Sequence, residues 1–288
     1  MTTPPTRTAP PARTARRARS GHPREQLPWP LGVPAALGAL FLVVPLAALL
    51  IRAPWSGMTR LLADRQVVEA LRLSLVCATT ATVLSVLLGV PLAWVLARVR
   101  WRGVSVLRAL VTVPLVLPPV VGGVALLLAF GRQGIVGRTL DEWTGITLPF
   151  TTAGVIVAET FVAMPFLVVT VEGAFRAAET GYEEAAATLG ASRLVVFSRV
   201  TLPLIAPSLV AGAVLSWARA LGEFGATITF AGNAPGRTQT MPLAVYLALE
   251  SDPDAAIALS LVMLVVSIAV LAALRDRWLR AGPAGSLS

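Results

Sequence analysis

The stretch EEAAATLGASRLVVFSRVTLPL, Glu183 to Leu204, sets acids, arginines, a glycine and a proline into a very apolar chain. From Gly181 it reads as a short helix. Glu183 and Glu184 fall in its first turn, where the positive end of the helix dipole favours acids. Ala185 and Ala186 carry no bulk, so another surface can approach closely. Gly190 can close the helix, Leu189, Val195, Val196 and Phe197 offer apolar anchors, and Pro203 opens the next helix. Residues 181–193 thus read as a small rigid knob shaped for a groove on a partner. A helix lying on lipid headgroups would carry a basic stripe beside its apolar face, whereas positions 183 and 184 are acidic.

Working outward, the surroundings are those of a membrane. Of 288 residues 56% are hydrophobic and 14% charged, and the mean hydropathy is +0.76. A soluble domain carries about 25% charged residues, so the composition indicates a polytopic membrane protein. All 24 basic residues are arginine. Without lysine there is no Walker A loop, whose lysine holds the β- and γ-phosphates, so the chain is not expected to hydrolyse ATP itself. The single histidine, His22, and the single cysteine, Cys77, leave no disulfide within the chain and no metal cage. Cys77 reads as a packing residue.

Six apolar stretches are long enough to cross a hydrocarbon core as helices: 31–51, 73–97, 106–130, 152–171, 204–222 and 255–274. The first exceeds a signal-peptide core and reads as a retained span. Residues 1–30 read as a disordered Arg/Pro-rich cytoplasmic tail, 31–275 as the transmembrane domain and 276–288 as a short cytoplasmic tail, too short to bury a core. With both termini inside, 16 arginines fall on the cytoplasmic side and 6 outside. This asymmetry favours that orientation and puts the knob in the cytoplasm. The net charge of +9 then belongs to orientation rather than to nucleic-acid binding.

The knob resembles the cytoplasmic loop of the membrane permeases of bacterial ABC importers: Glu-Ala-Ala, three residues, Gly, nine residues, then Ile-x-Leu-Pro. Here these positions are Glu184, Ala185, Ala186, Gly190, Val200, Leu202 and Pro203, with valine for isoleucine. The resemblance implies an all-α polytopic fold of about six transmembrane helices, the type I importer permease fold. It also implies that the loop is a coupling helix docking into a separate ATPase. Three further stretches, VPLVLPPVVGGVALLLAFGRQGIVG (113–137), ETFVAMPFLVVTVEGAF (159–175) and SWARALGEFGATITFAGNAPGRTQTMPLAVY (216–246), are similar to the molybdate permeases of this superfamily. What that implies is molybdate import across the bacterial plasma membrane by a homodimer with two ATPase subunits and one extracytoplasmic molybdate-binding protein. ATP and Mg would bind the ATPase, and no cofactor or metal this chain.

A tetrahedral dianion needs many moderate donors rather than one deep charge well, because a site that binds too tightly does not release. Thr227, Thr229, Asn233, Thr238, Gln239 and Thr240 are such donors, and Arg219 and Arg237 add positive charge. Gly222 and Gly225 permit a turn or a close approach at the gate. Arg219 and Glu223, four apart, share a helix face, and their pairing is expected ahead of direct anion contact, since an unpaired charge in a span costs at least about 2.5–3.5 kcal/mol. Arg237 reads as meeting a docking protein or solvent. Sulfate, thiosulfate and tungstate permeases are the neighbouring alternatives. An ion-driven secondary transporter is the alternative of another class, with Glu159 its one candidate relay, and it would usually show internal repeats. A structural or signalling membrane protein is the third reading.

Overall fold

A computed structural model describes residues 29–280. The expectations for residues 1–28, His22 included, and for 281–288 lie outside it. All regular structure among the described residues is helical. The chain divides into two compact units, one ending at Ala48 and one from Leu49 onward. The first contains most of α1 (Trp29–Ile51), a helix with no charged residue.

The second unit begins with the short α2 (Met58–Leu62) and the long α3 (Arg65–Arg98). The Asp64 side chain caps α3 by accepting from the Gln66 N–H at 2.8 Å. Then come α4 (Val104–Val116), α5 (Pro119–Phe130), α6 (Gly137–Thr144) and α7 (Thr152–Ala177). Thr151 caps α7 through the Gly154 N–H at 3.1 Å. The knob follows as α8 (Gly181–Thr188), the single turn α9 (Arg193–Val196) and a π-helical turn (Phe197–Thr201) that runs directly into α10 (Leu202–Leu221). The chain continues with α11 (Gly225–Ala231), α12 (Met241–Ser251) and α13 (Pro253–Arg280).

Five helical stretches are long and apolar enough to cross a membrane: α1, α3, α7, the run from α9 through α10, and α13. The third expected span, 106–130, is instead two helices. Each proline of the pair Pro118–Pro119 disfavours helical backbone in the residue before it and supplies no N–H. Accordingly Leu117 and Pro118 adopt extended ψ values of 132° each. The last expected span also outruns its predicted end at 274, because the good helix formers Arg275, Leu279 and Arg280 carry α13 through residue 280.

The packed centre of the second unit is α7, flanked by α3 and α10. Val90, Ala93, Leu96, Leu167, Val168, Val171, Phe175 and Ile205 form one core at the end nearest α8. Further along, Ala78, Ala81, Ala163 and Ala220 meet in a cluster of small residues. Lipid tails are as apolar as leucine, so such helices associate through close packing rather than through escape from water. Gly89 shows how close: a Cβ there would lie 2.9 Å from Leu167 Cδ2 and 3.1 Å from Val168 Cγ2. Gly89→Val is expected to destabilise the protein by about 1–3 kcal/mol through overpacking, measured as a lowered unfolding midpoint in detergent, whereas Gly38→Val, where nothing lies within 4 Å, should leave it in place.

Candidate functional site: a docking knob and a polar gate

The knob forms as a closed helix. At its C-terminus the Gly190 N–H donates to the Ala187 carbonyl at 3.0 Å and the Ala191 N–H to the Ala186 carbonyl at 3.1 Å. This paired closure needs a left-handed residue, and Gly190 has φ +84°. Beyond it Ser192 caps α9 by accepting from the Val195 N–H at 3.5 Å.

The apolar anchors divide by direction. Leu189 and Leu194 stand 89% and 78% exposed. Phe197 turns inward, its ring centroid 6.4 Å from that of Phe175, and Leu202 packs on the same core. Val200 is half-buried and Pro203 exposed. Val195 is exposed and Val196 half-buried.

The two acids divide as well. Glu184 is exposed, as is Ala185 beside it, with Ala186 half-buried. Glu183 folds back instead: its Oε1 accepts from Arg98 Nη2 at 3.0 Å and from Thr201 Oγ1 at 3.0 Å. Nearby, Glu172 Oε1 pairs with Arg108 Nε at 2.9 Å and with Arg176 Nη2 at 2.8 Å. Arg108 also donates to the Leu96 carbonyl at 3.0 Å. The ends of α3, α4 and α7 are thereby tied together beside the knob.

At the other end of α10 lies the polar region. Arg219 Nη2 meets Glu223 Oε2 at 2.6 Å, and Glu223, 1% exposed, accepts from the Ala226 N–H at 2.8 Å through Oε1. The pairing expected from their spacing is present, and Glu223 also fastens the start of α11. Gly222 is the residue at which α10 ends, with an ordinary φ of −89°. Gly225 serves close approach: a Cβ on it would lie 2.7 Å from Pro119 Cβ. On the facing helix, a Cβ at Gly123 would lie 2.6 Å from Thr229 Cβ. Both contacts press α11 against α5.

The expected anion donors have different fates. Thr229 donates to the Gly225 carbonyl at 2.8 Å, within its own helix. Thr238 is buried and accepts from the Ala234 N–H at 2.8 Å, closing the turn before α12. Gln239 is buried. Thr227 Oγ1, Asn233 Oδ1 and Thr240 Oγ1 are buried atoms without a protein partner. Arg237 is exposed, and its carbonyl accepts from Thr152 Oγ1 at 2.8 Å.

Ser216 Oγ and Glu159 Oε2 are likewise buried without a hydrogen-bond partner, as is Arg98 Nε at the knob end. Ser216 was legible in principle, since it sits three residues before Arg219 and seven before Glu223 on one helical face. Ser74 had no such signal. It is buried and accepts from the Met241 N–H at 2.7 Å, a contact between distant segments. Among the described residues no three His, Cys, Asp or Glu side chains gather as a metal site.

Helices around a packed centre, a protruding capped knob and a polar region at the opposite end of α10 are the outline of a transport subunit. Residues 85–281 match the family described as binding-protein-dependent transport system inner membrane component, and the chain belongs to it. The chain is 52% identical over 250 residues to the molybdenum transport system permease protein ModB of Mycobacterium tuberculosis, across 87% of this chain and 94% of that one. It is 39% identical over 211 residues to the protein of the same name in Escherichia coli, across 73% and 92%. The sulfate transport system permease protein CysT of Salmonella typhimurium is 36% identical over 245 residues, across 84% and 88%. Among solved structures, a bacterial alginate ABC transporter aligns with TM-score 0.70 at 19% identity, over 90% of this chain and 96% of that one. The MetNI methionine ABC transporter in inward-facing form aligns with TM-score 0.61 at 19% identity, over 75% and 96%. These likenesses bear on the fold, which is that of an ABC importer permease.

Arg219→Ala would leave the buried Glu223 carboxylate without its cation. Breaking one side of a buried pair costs about 3–5 kcal/mol, so the unfolding midpoint in detergent should fall sharply. The double variant Arg219→Ala with Glu223→Gln should recover part of that loss.

Proposed function

We propose that this chain is the molybdate-conducting permease of an ABC importer, working as a homodimer with two copies of a separate ATPase and one extracytoplasmic molybdate-binding protein. The observation that carries the reading is the 52% identity to a molybdenum permease, against 36% to a sulfate permease. Orientation with both termini in the cytoplasm follows from the arginine asymmetry and puts α8 where an ATPase can reach it.

In this reading Ala185, Ala186 and Glu184, with exposed Leu189 and Leu194, form the face that enters the ATPase cleft. The two small alanines let the backbone of α8 approach the cleft wall. ATP-driven closure brings two such knobs together, one from each copy of the chain. α10 spans 20 residues, about 30 Å at 1.5 Å per residue. It connects the knob end to Arg219 and Glu223, so movement at Pro203 is felt at the gate. Molybdate delivered from outside passes donors such as Thr227, Ser216 and Thr240, whose hydroxyls are free to solvate an oxyanion in turn. Moderate donors of this kind hold the anion without trapping it.

Sealed vesicles containing this chain, its ATPase and the binding protein should accumulate molybdate only with ATP, and a tenfold excess of sulfate should compete weakly. Sulfate-preferring uptake would retain the importer and overturn the substrate; uptake indifferent to ATP would overturn the importer. Ala186→Trp places a large ring on the docking face, and it should abolish ATPase co-purification or uncouple hydrolysis from uptake while the chain still reaches the membrane.

A further inference from the structure

The knob is joined to the bundle by short connections, residues 178–180 before it and 189–192 after it. At Gly181 and Gly190 nothing lies within 4 Å of the position a Cβ would take, so no neighbouring side chain packs against those two positions. The side-chain tie from the first turn of α8 to the bundle is the Glu183 carboxylate, one oxygen of which receives both Arg98 Nη2 and Thr201 Oγ1 at 3.0 Å.

These two donors belong to the helices that flank the central α7. Arg98 is the last residue of α3, and Thr201 is the last residue of the π-helical turn feeding α10. The ion pair is sheltered, with side-chain exposures of 18% for Arg98 and 23% for Glu183, and Thr201 is buried. Shelter strengthens a charge-assisted bond relative to one on an open surface. The Arg98 end of the joint has a firm base, because Arg108 reaches the Leu96 carbonyl while pairing with Glu172. A π-helical turn is a local departure from regular helix of the kind found at functional positions, and here it ends on the hydroxyl that Glu183 holds.

We propose that Glu183 is a positioning residue that acts as a transmission joint: through Arg98 and Thr201 it makes α3 and the start of α10 move with α8, while its neighbour Glu184 faces the ATPase. This rests on the coupling role given to α8 above. A knob without the joint would still dock, but part of its displacement would be lost in bending at the short connections.

The test uses the complete complex in vesicles, with Glu183→Gln, Arg98→Gln, Thr201→Val and the exchange of charges Arg98→Glu with Glu183→Arg. Two quantities are read: molybdate taken up per ATP hydrolysed, and amide hydrogen exchange over 181–188. Glu183→Gln should keep the ATPase bound, lower uptake per ATP several-fold and speed exchange about tenfold, the population change expected for losing a bond to a charged group. Thr201→Val should act in the same direction more weakly, and the charge exchange should restore at least half of both losses. Unchanged coupling and exchange in Glu183→Gln would overturn the joint. Loss of ATPase binding equal to that of Ala186→Trp would also overturn it, by making Glu183 part of the docking face. Should the unaltered complex fail to transport molybdate, the proposed function falls, while the exchange of 181–188 still decides the joint.

Discussion

The closeness with which α3 and α10 lie against α7 is the constraint on which the remaining geometry hangs. Within lipid there is no gain from removing apolar side chains from water, so attraction between helices rests on the number of atoms brought into contact. Ala78, Ala81 and Ala163, all buried, and Gly89 against Leu167 keep the backbones near enough for that. Because α7 is held on both sides, its last two turns are well placed, and Glu172 there can gather Arg108 and Arg176. The knob begins four residues after α7 ends, so its placement follows from theirs.

Polar groups in the described helices serve two different ends. Some close the structure: Glu223 between Arg219 and the Ala226 amide, Thr238 in its turn, Ser74 under Met241. Others retain buried hydrogen-bonding capacity that the protein does not use, as with Thr227, Ser216 and Thr240. A buried polar atom left without a partner costs free energy, so its persistence needs a reason.

Much of this was legible beforehand because membranes impose strong rules on sequence. Uninterrupted apolar length placed α1 and α10 within two residues, but α3 begins eight residues before its expected start and α7 and α13 each run six residues past their expected ends, where polar residues extend the helices. The spacing from Glu184 to Pro203 marked the short helix α8. The four-residue interval gave Arg219 with Glu223. Hydropathy is blind to the break at Leu117–Pro118; the paired prolines, which carry the information, act through backbone geometry. The opposite orientations of Glu183 and Glu184 were hidden for a different reason. Adjacent residues on a helix point about 100° apart, and only the folded position of Arg98, 85 residues earlier in the chain, decides which of the two faces inward. Ser74 was hidden likewise, since its partner Met241 is 167 residues away.

Gly190 illustrates how one position can be selective without being crowded. Nothing lies within 4 Å of where a Cβ on it would stand, and only its dihedral of +84° is unusual. An L-residue is disfavoured there by its own backbone, not by any neighbour. A D-alanine at 190, mirror image of the residue that the site resists, would adopt the same dihedral at ease and leave the knob closed. The position therefore discriminates by handedness rather than by size.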